Sequence, residues 1–190
     1  MKYIESKAFE KQNFSDKPLP KAEYEDCTFT NCDFSDGDLS GIAFTDCSFI
    51  NCNMSLTSLD KTALRDVKFK DCKMLGIDFE RCHDFGFAVG FENCILDHAS
   101  FYKLKLKKTV FKNVQFHETD FSECDLTLAS FDCCDLANAV FDQTVLEKAD
   151  LRTAINYSID PTRNRIKKAR FSLPHVVGLL HRFDIEVANP

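Results

Sequence analysis

ASFYKLKLKKTVFKNVQFHETDFSECDLTLASFDCCDLANAVFDQTVLEKADL, residues 99–151, repeats every five residues. With Phe101 as the first centre, the later centres are Leu106, Phe111, Phe116, Phe121, Leu126, Phe131, Leu136, Phe141, Leu146 and Leu151. Every one is Phe or Leu. Two residues before each stands Ala, Leu, Thr, Val or Cys. A period of five fits neither an α-helix at 3.6 nor a plain strand at 2. It is the mark of a repeat protein.

The same step runs outward through most of the chain. From Phe9 it meets Phe14, Leu19, Tyr24, Phe29, Phe34, Leu39, Phe44, Phe49, Met54, Leu59, Leu64, Phe69, Met74 and Phe79. A second register starts at Phe91 and ends at Leu151. The two registers hold 15 of the 19 Phe residues. Phe91 comes two residues later than the step from Phe79 requires. The intervening ERCHDFGFAVG reads either as two six-residue turns through Phe85 or as a bulged corner at Gly86.

In an extended segment, residues two apart point to the same side. The centre and the residue two before it therefore point inward together, their neighbours point outward, and the fifth residue turns a corner. A chain built this way closes into a tube whose coils hydrogen-bond to the coils on either side. Such a solenoid has no lateral edges, but its two ends need caps. Pro18 and Pro20 remove ladder donors and are tolerable only near a corner or edge.

The runs Cys124-Asp125-Leu126, Cys134-Asp135-Leu136 and Ala149-Asp150-Leu151 resemble the pentapeptide-repeat family, over Ala8 to about Leu151. The resemblance implies an all-β solenoid, a right-handed quadrilateral β-helix with four fives per coil and about seven coils. The expected organisation is a β-helix over 1–171, with the slip at 80–90 and an excursion at 155–165. A capping and dimerisation segment over 172–190 follows. There Ser172 and Pro174 suit a helix start, and Leu173, Val176, Val177 and Leu180 form an apolar helical stripe. Phe183–Val187 reads as a short strand.

Ten cysteines invite a metal or disulfide reading. Eight of them occupy the inward position two before a centre, where thiol Cys packs well, and Cys82 falls in the slip. Only Cys133 falls on a corner. No paired CxxC or HxxxH pattern occurs, so no metal or cofactor is expected. The five His are scattered outside any recognised catalytic pattern, and no catalytic residue is assigned. The N-terminus has no apolar signal core and no run approaches a membrane span, so the expectation is a cytoplasmic protein without a membrane partner. A formal net charge of -6 argues against direct nucleic-acid binding.

Charge comes in blocks. Residues 22–60 carry eight acids and no Lys or Arg, and so do residues 117–147. Lysines 103–112 lie between them, and Arg163, Arg165, Lys167, Lys168 and Arg170 follow. Two readings stay open. Outward Asp can solvate the rod and bond locally to turn backbone, or an acidic rod can present carboxylates as DNA presents phosphates. The candidate surface comprises Asp33, Asp36, Asp38, Asp120, Asp125, Asp132, Asp135, Asp142 and Asp150. The C-terminal stripe, with Phe183, Ile185 and Val187, likewise reads as a cap and as the interface of a homodimer.

Asp160-Pro161-x-x-Asn164-Arg165-Ile166, then Ser172-Leu173-Pro174 and the FDIEV ending, is similar to the gyrase-protecting branch of the family. That branch includes quinolone-resistance proteins and a microcin immunity protein. The resemblance implies a non-enzymatic dimeric rod that binds DNA gyrase or topoisomerase IV. The alternative is a protein–protein interaction scaffold with no topoisomerase partner.

Overall fold

The computed structural model describes residues 2–188. Met1, Asn189 and Pro190, the outer ends of the two expected units, lie outside the described residues. The chain winds into four-sided coils that stack in parallel, each residue pairing with its counterpart one coil on, as Lys2 does with Ala22. On the first side, β1 (Lys2–Glu5), β3 (Ala22–Glu25), β5 (Ala43–Thr45) and β7 (Ala63–Arg65) form a sheet in that order. On the second side seven strands pair in succession: β2 (Ala8–Glu10), β4 (Thr28–Thr30), β6 (Ser48–Ile50), β8 (Val67–Lys70), β9 (Val89–Glu92), β10 (Val110–Lys112) and β11 (Ser130–Asp132). The third and fourth sides are held by single bridges, such as Asn13↔Asp33↔Asn53↔Lys73 and Ser100↔Asp120↔Val140.

Register follows from the repeat. Phe9, Phe29, Phe49, Phe69, Phe91, Phe111 and Phe131 lie directly above one another. Their rings stack at 4.7–5.9 Å. A second column, Phe79, Phe101, Phe121 and Phe141, stacks at 4.7–5.2 Å. Rings on adjacent sides meet edge to face, as Phe111 and Phe116 do at 5.2 Å. Both geometries suit the aromatic quadrupole, so one core satisfies stacking along the axis and T-contacts around it.

The corners have a cost. Two residues after most centres the backbone φ is positive, as at Asp26 (50°), Leu56 (58°), Lys108 (61°) and Cys133 (53°). For an L-residue that region costs about 1–2 kcal/mol. Many corners are closed by a turn bond such as Thr57 N–H to Met54 O at 3.2 Å. Positive φ at the third residue is what a type II turn demands.

The inward position two before a centre does more than fill space. Thr57 Oγ1 donates to the Phe34 carbonyl at 2.8 Å, and Thr144 Oγ1 to the Phe121 carbonyl at 2.9 Å. Cysteine does the same: Cys47 Sγ reaches the Tyr24 carbonyl and Cys72 Sγ the Phe49 carbonyl, each at 3.4 Å. Burial pushes the Cys47 thiol up to about 11 and those of Cys124 and Cys134 to about 12, so they stay protonated donors. All ten cysteines are free, nine buried and Cys133 exposed.

The slip is a bulge, and Phe85 is no centre. Val67 pairs with Val89, so this one coil is longer than the others by two residues. The two extra residues swell the first side beyond β7, where His83 N–H bonds Thr62 O and Ala88 N–H bonds Leu64 O. Gly86 turns the bulge at φ +75° against the Arg65 stem. Phe85 is thrown outward, 74% exposed, while Phe87 packs on the core beside Phe79. The excursion at 155–165 adds no residues, because Val145↔Arg165 and Asp150↔Arg170 keep the ordinary coil step. Asn164 takes the inward position there, donating to the Phe141 carbonyl at 2.9 Å and accepting from Thr144 N–H.

The C-terminal segment departs from the expected α-helix and strand. It forms two short 3-10 turns, Val176–Leu179 and His181–Phe183, and no strand among the described residues that follow. Close approach explains the choice. Gly178 lies against Tyr157, where an added Cβ would sit 2.1 Å from the Tyr157 carbonyl oxygen, and Gly178 O accepts Ile159 N–H. In an α-helix the Gly178 carbonyl would be taken by the amide four residues on; here the segment hugs the last coil and that carbonyl serves Ile159 instead. Ser172 accepts from Val176 N–H through its carbonyl, and its side chain caps nothing. Arg182 bonds Asp160 and Thr162, latching the segment down.

Candidate interaction surface

The nine candidate aspartates do not share a side. Asp33 and Asp135 lie on the third side, with Asp36 at the corner beyond it. Asp38, Asp120 and Asp142 belong to the fourth, Asp132 and Asp150 to the second, and Asp125 to the first. Acid blocks in sequence are therefore bands around the rod, since each coil visits all four sides before the next begins.

Six of these aspartates shape the backbone. Asp33, Asp38, Asp120, Asp125, Asp135 and Asp150 each accept an N–H two residues on, at 2.8–3.2 Å. The carboxylate replaces a turn acceptor and fixes the corner. The Ser40 hydroxyl and amide hold the Asp38 carboxyl below its ordinary value. Burial opposes ionisation of Asp125 and Asp135. Bonds from Thr127 and Lys107 to the former, and from Asn156 and His117 to the latter, nevertheless leave both lowered.

The two acid blocks differ in their partners. In 117–147, six of the eight acids meet a basic side chain from a neighbouring coil. The pairs are Glu118–His98 (3.4 Å), Glu123–Lys103 (3.5 Å), Asp125–Lys107 (3.1 Å), Asp135–His117 (3.2 Å), Asp142–Arg163 (2.7 Å) and Glu147–Arg165 (2.7 Å). Asp150 meets Arg152 and Arg170. In 22–60 no acid has an ion-pair partner among the described residues: Glu23, Glu25, Asp26, Asp33, Asp36, Asp38, Asp46 and Asp60 face solvent uncompensated. The N-terminal coils thus keep the anionic surface, whereas the C-terminal ladders neutralise theirs. Sequence inspection missed these pairs, yet the two members of each stand close to one coil apart in the chain.

At the C-terminal end, Leu173 is 89% exposed, and Val177, Phe183, Ile185 and Val187 also face solvent. Val176 and Leu180 are half-buried, and Leu179 packs on the core. The segment covers the last coil with one face and leaves an apolar face outside. Among the described residues there is no group of three or more His, Cys, Asp or Glu placed to hold a metal ion. Among them, too, no helix is long and apolar enough to cross a membrane.

Residues 22–84 and 87–158 match the family model for the pentapeptide repeat region. The chain belongs to the pentapeptide-repeat family. The break between the matched segments falls on the bulge at Phe85–Gly86. No curated protein matches the chain. Among solved structures it is similar to QnrB1, a plasmid-mediated fluoroquinolone resistance protein, at 17% identity and a TM-score of 0.52, over 96% of this chain and 100% of that one. At that identity the likeness establishes a shared fold. HetL, a pentapeptide repeat protein involved in heterocyst differentiation regulation in a Nostoc cyanobacterium, matches at 16% identity and a TM-score of 0.44, over 89% of this chain and 86% of that one.

Proposed function

We propose that this pentapeptide-repeat rod is a non-enzymatic, cytoplasmic homodimer that binds DNA gyrase or topoisomerase IV as a DNA mimic. Bound there, it protects the enzyme from quinolones or peptide toxins. The observation that carries this reading is the uncompensated acid band of the N-terminal coils. Carboxylates without ion-pair partners, spread over all four sides of the coils of residues 22–60, offer a cationic DNA-binding groove a rigid anionic surface. Of the candidate aspartates, Asp33, Asp36 and Asp38 belong to that band. Asp125, Asp135, Asp142 and Asp150 serve the ion ladders and the corners. Dimerisation uses the apolar face of Leu173, Val177, Phe183, Ile185 and Val187.

A second reading has its own support. Six candidate aspartates fix corners, as they would in a scaffold that binds no topoisomerase. Supercoiling by purified gyrase separates the two. The topoisomerase reading expects inhibition at high protein and relief of quinolone poisoning at lower protein. Neither effect, together with pull-downs that return other partners and no gyrase, would leave the scaffold.

A further inference from the structure

The first side of the rod reverses its charge at its midpoint. Before the bulge its solvent-facing positions hold Glu5, Glu23, Glu25, Asp26, Asp46 and Asp66 against two cations, Lys2 and Arg65. After the bulge they hold Lys105, Lys107 and Lys108, then Lys148, then Arg165, Lys167 and Lys168. The two acids of that half, Asp125 and Glu147, are already paired to Lys107 and Arg165. One edge shows the reversal within a single column: Asp26, Asp46 and Asp66 stack below the bulge, and Lys108, Lys148 and Lys168 above it, all at positive φ.

The bulge itself is a knob beside a hole. Phe85 projects into solvent from this same side. Next to it, a hollow of about 320 Å³ is lined by Asp84, Gly86, Phe87, Lys103, Leu104 and Lys105. An exposed phenyl ring on a polar rod and an apolar-floored hollow one coil away are mutually complementary in two copies.

From this geometry we infer that a second copy of this chain docks side by side and antiparallel along the first side, with the two-fold axis through the Phe85 bulge. A two-fold contact is isologous: each patch meets the patch equally far beyond the axis. Four coils lie on each side of the bulge. Asp66 then faces Lys105–Lys108 of the second copy, Glu23–Asp26 face Lys148, and Glu5 faces Arg165–Lys168. Each Phe85 enters the other copy's hollow. Asp46, opposite Leu128, lacks a cation; Glu25 falls opposite Glu147, which Arg165 of its own copy neutralises, and Arg65 opposite Lys107, which Asp125 of its own copy neutralises. This contact is separate from the C-terminal apolar face, and it leaves Asp33, Asp36 and Asp38 uncovered on other sides.

Sedimentation velocity of the full chain at about 50 mM and about 500 mM salt tests it, because the attraction is between exposed charges and screens with salt. The expected result is a doubling of mass at low salt that is lost at high salt. Ile185→Asp, which addresses the other face, leaves this salt-sensitive step in place. Phe85→Asp abolishes it. Asp66→Lys and Lys108→Glu each weaken it about tenfold, and the double variant, which restores opposite charges across the two-fold axis, recovers it. Equal mass at both salts would overturn the inference. So would an association untouched by Phe85→Asp, or a double variant no better than either single one.

Discussion

The Cys52 thiol donates to the carbonyl oxygen of Phe29, one coil away, at 3.4 Å. The same relation joins Thr57 to Phe34 and Thr62 to Leu39, so Cys and Thr are equivalent inward donors in this fold. Cys52→Ala removes a buried donor and its volume and is expected to cost about 1–3 kcal/mol. Cys52→Thr is expected to stay within about 1 kcal/mol of the parent. Urea unfolding measures both, and an Ala variant as stable as the parent would remove the donor role.

Phe121 is fully buried, stacked between Phe101 and Phe141 and edge-on to Phe131. Phe121→Ala is expected to cost about 3–5 kcal/mol. A loss below about 1 kcal/mol would mean that this column does not carry the core.

Leu56 occupies a positive-φ corner at 58° while its side chain is 63% exposed. Asn accepts that backbone region more readily than Leu. Leu56→Asn is therefore expected to stabilise the rod by about 0.5–1 kcal/mol. A lower midpoint on thermal unfolding would contradict it.

Asp160 anchors the C-terminal latch. Burial would raise its carboxyl, but bonds from Thr162 and Arg182 overcome this and set it to about 2. Asp38, Asp125, Asp135 and Asp150 are lowered as well. A carboxyl lowered by folding stabilises the native state above its unfolded value, about 3.9, and loses that contribution as pH falls through its folded value. Stability is thus expected to be flat near neutrality and to fall from about pH 4 toward about pH 2. In Asp160→Asn the fall should be shallower, because one of the titrating groups is gone. An identical acid profile for parent and variant would exclude a role for this latch.

The repeat made most of the fold legible. A centre every fifth residue is enough to place the Phe columns, eight inward cysteines and the coil period. The C-terminal segment was not legible in the same way. Leu173, Val176, Val177 and Leu180 satisfy helical spacing, but the close approach of Gly178 to Tyr157 is a tertiary constraint that local periodicity does not carry. The bulge was legible only as an irregularity. Phe85 and Phe87 are alike in sequence, and which of them turns inward depends on where the two extra residues sit. The acid blocks were visible, yet their compensation was not, because Glu147 meets Arg165 only once successive coils are stacked.

The most direct test of the central claim is displacement of fluorescently labelled DNA from purified gyrase by this protein. The account predicts displacement by the parent rod that is strongly reduced when Asp33, Asp36 and Asp38 are together replaced by Lys, and largely retained when Asp135 and Asp142 are replaced by Asn. Failure of the parent rod to displace DNA at any concentration, or displacement unaffected by the triple replacement, would contradict it.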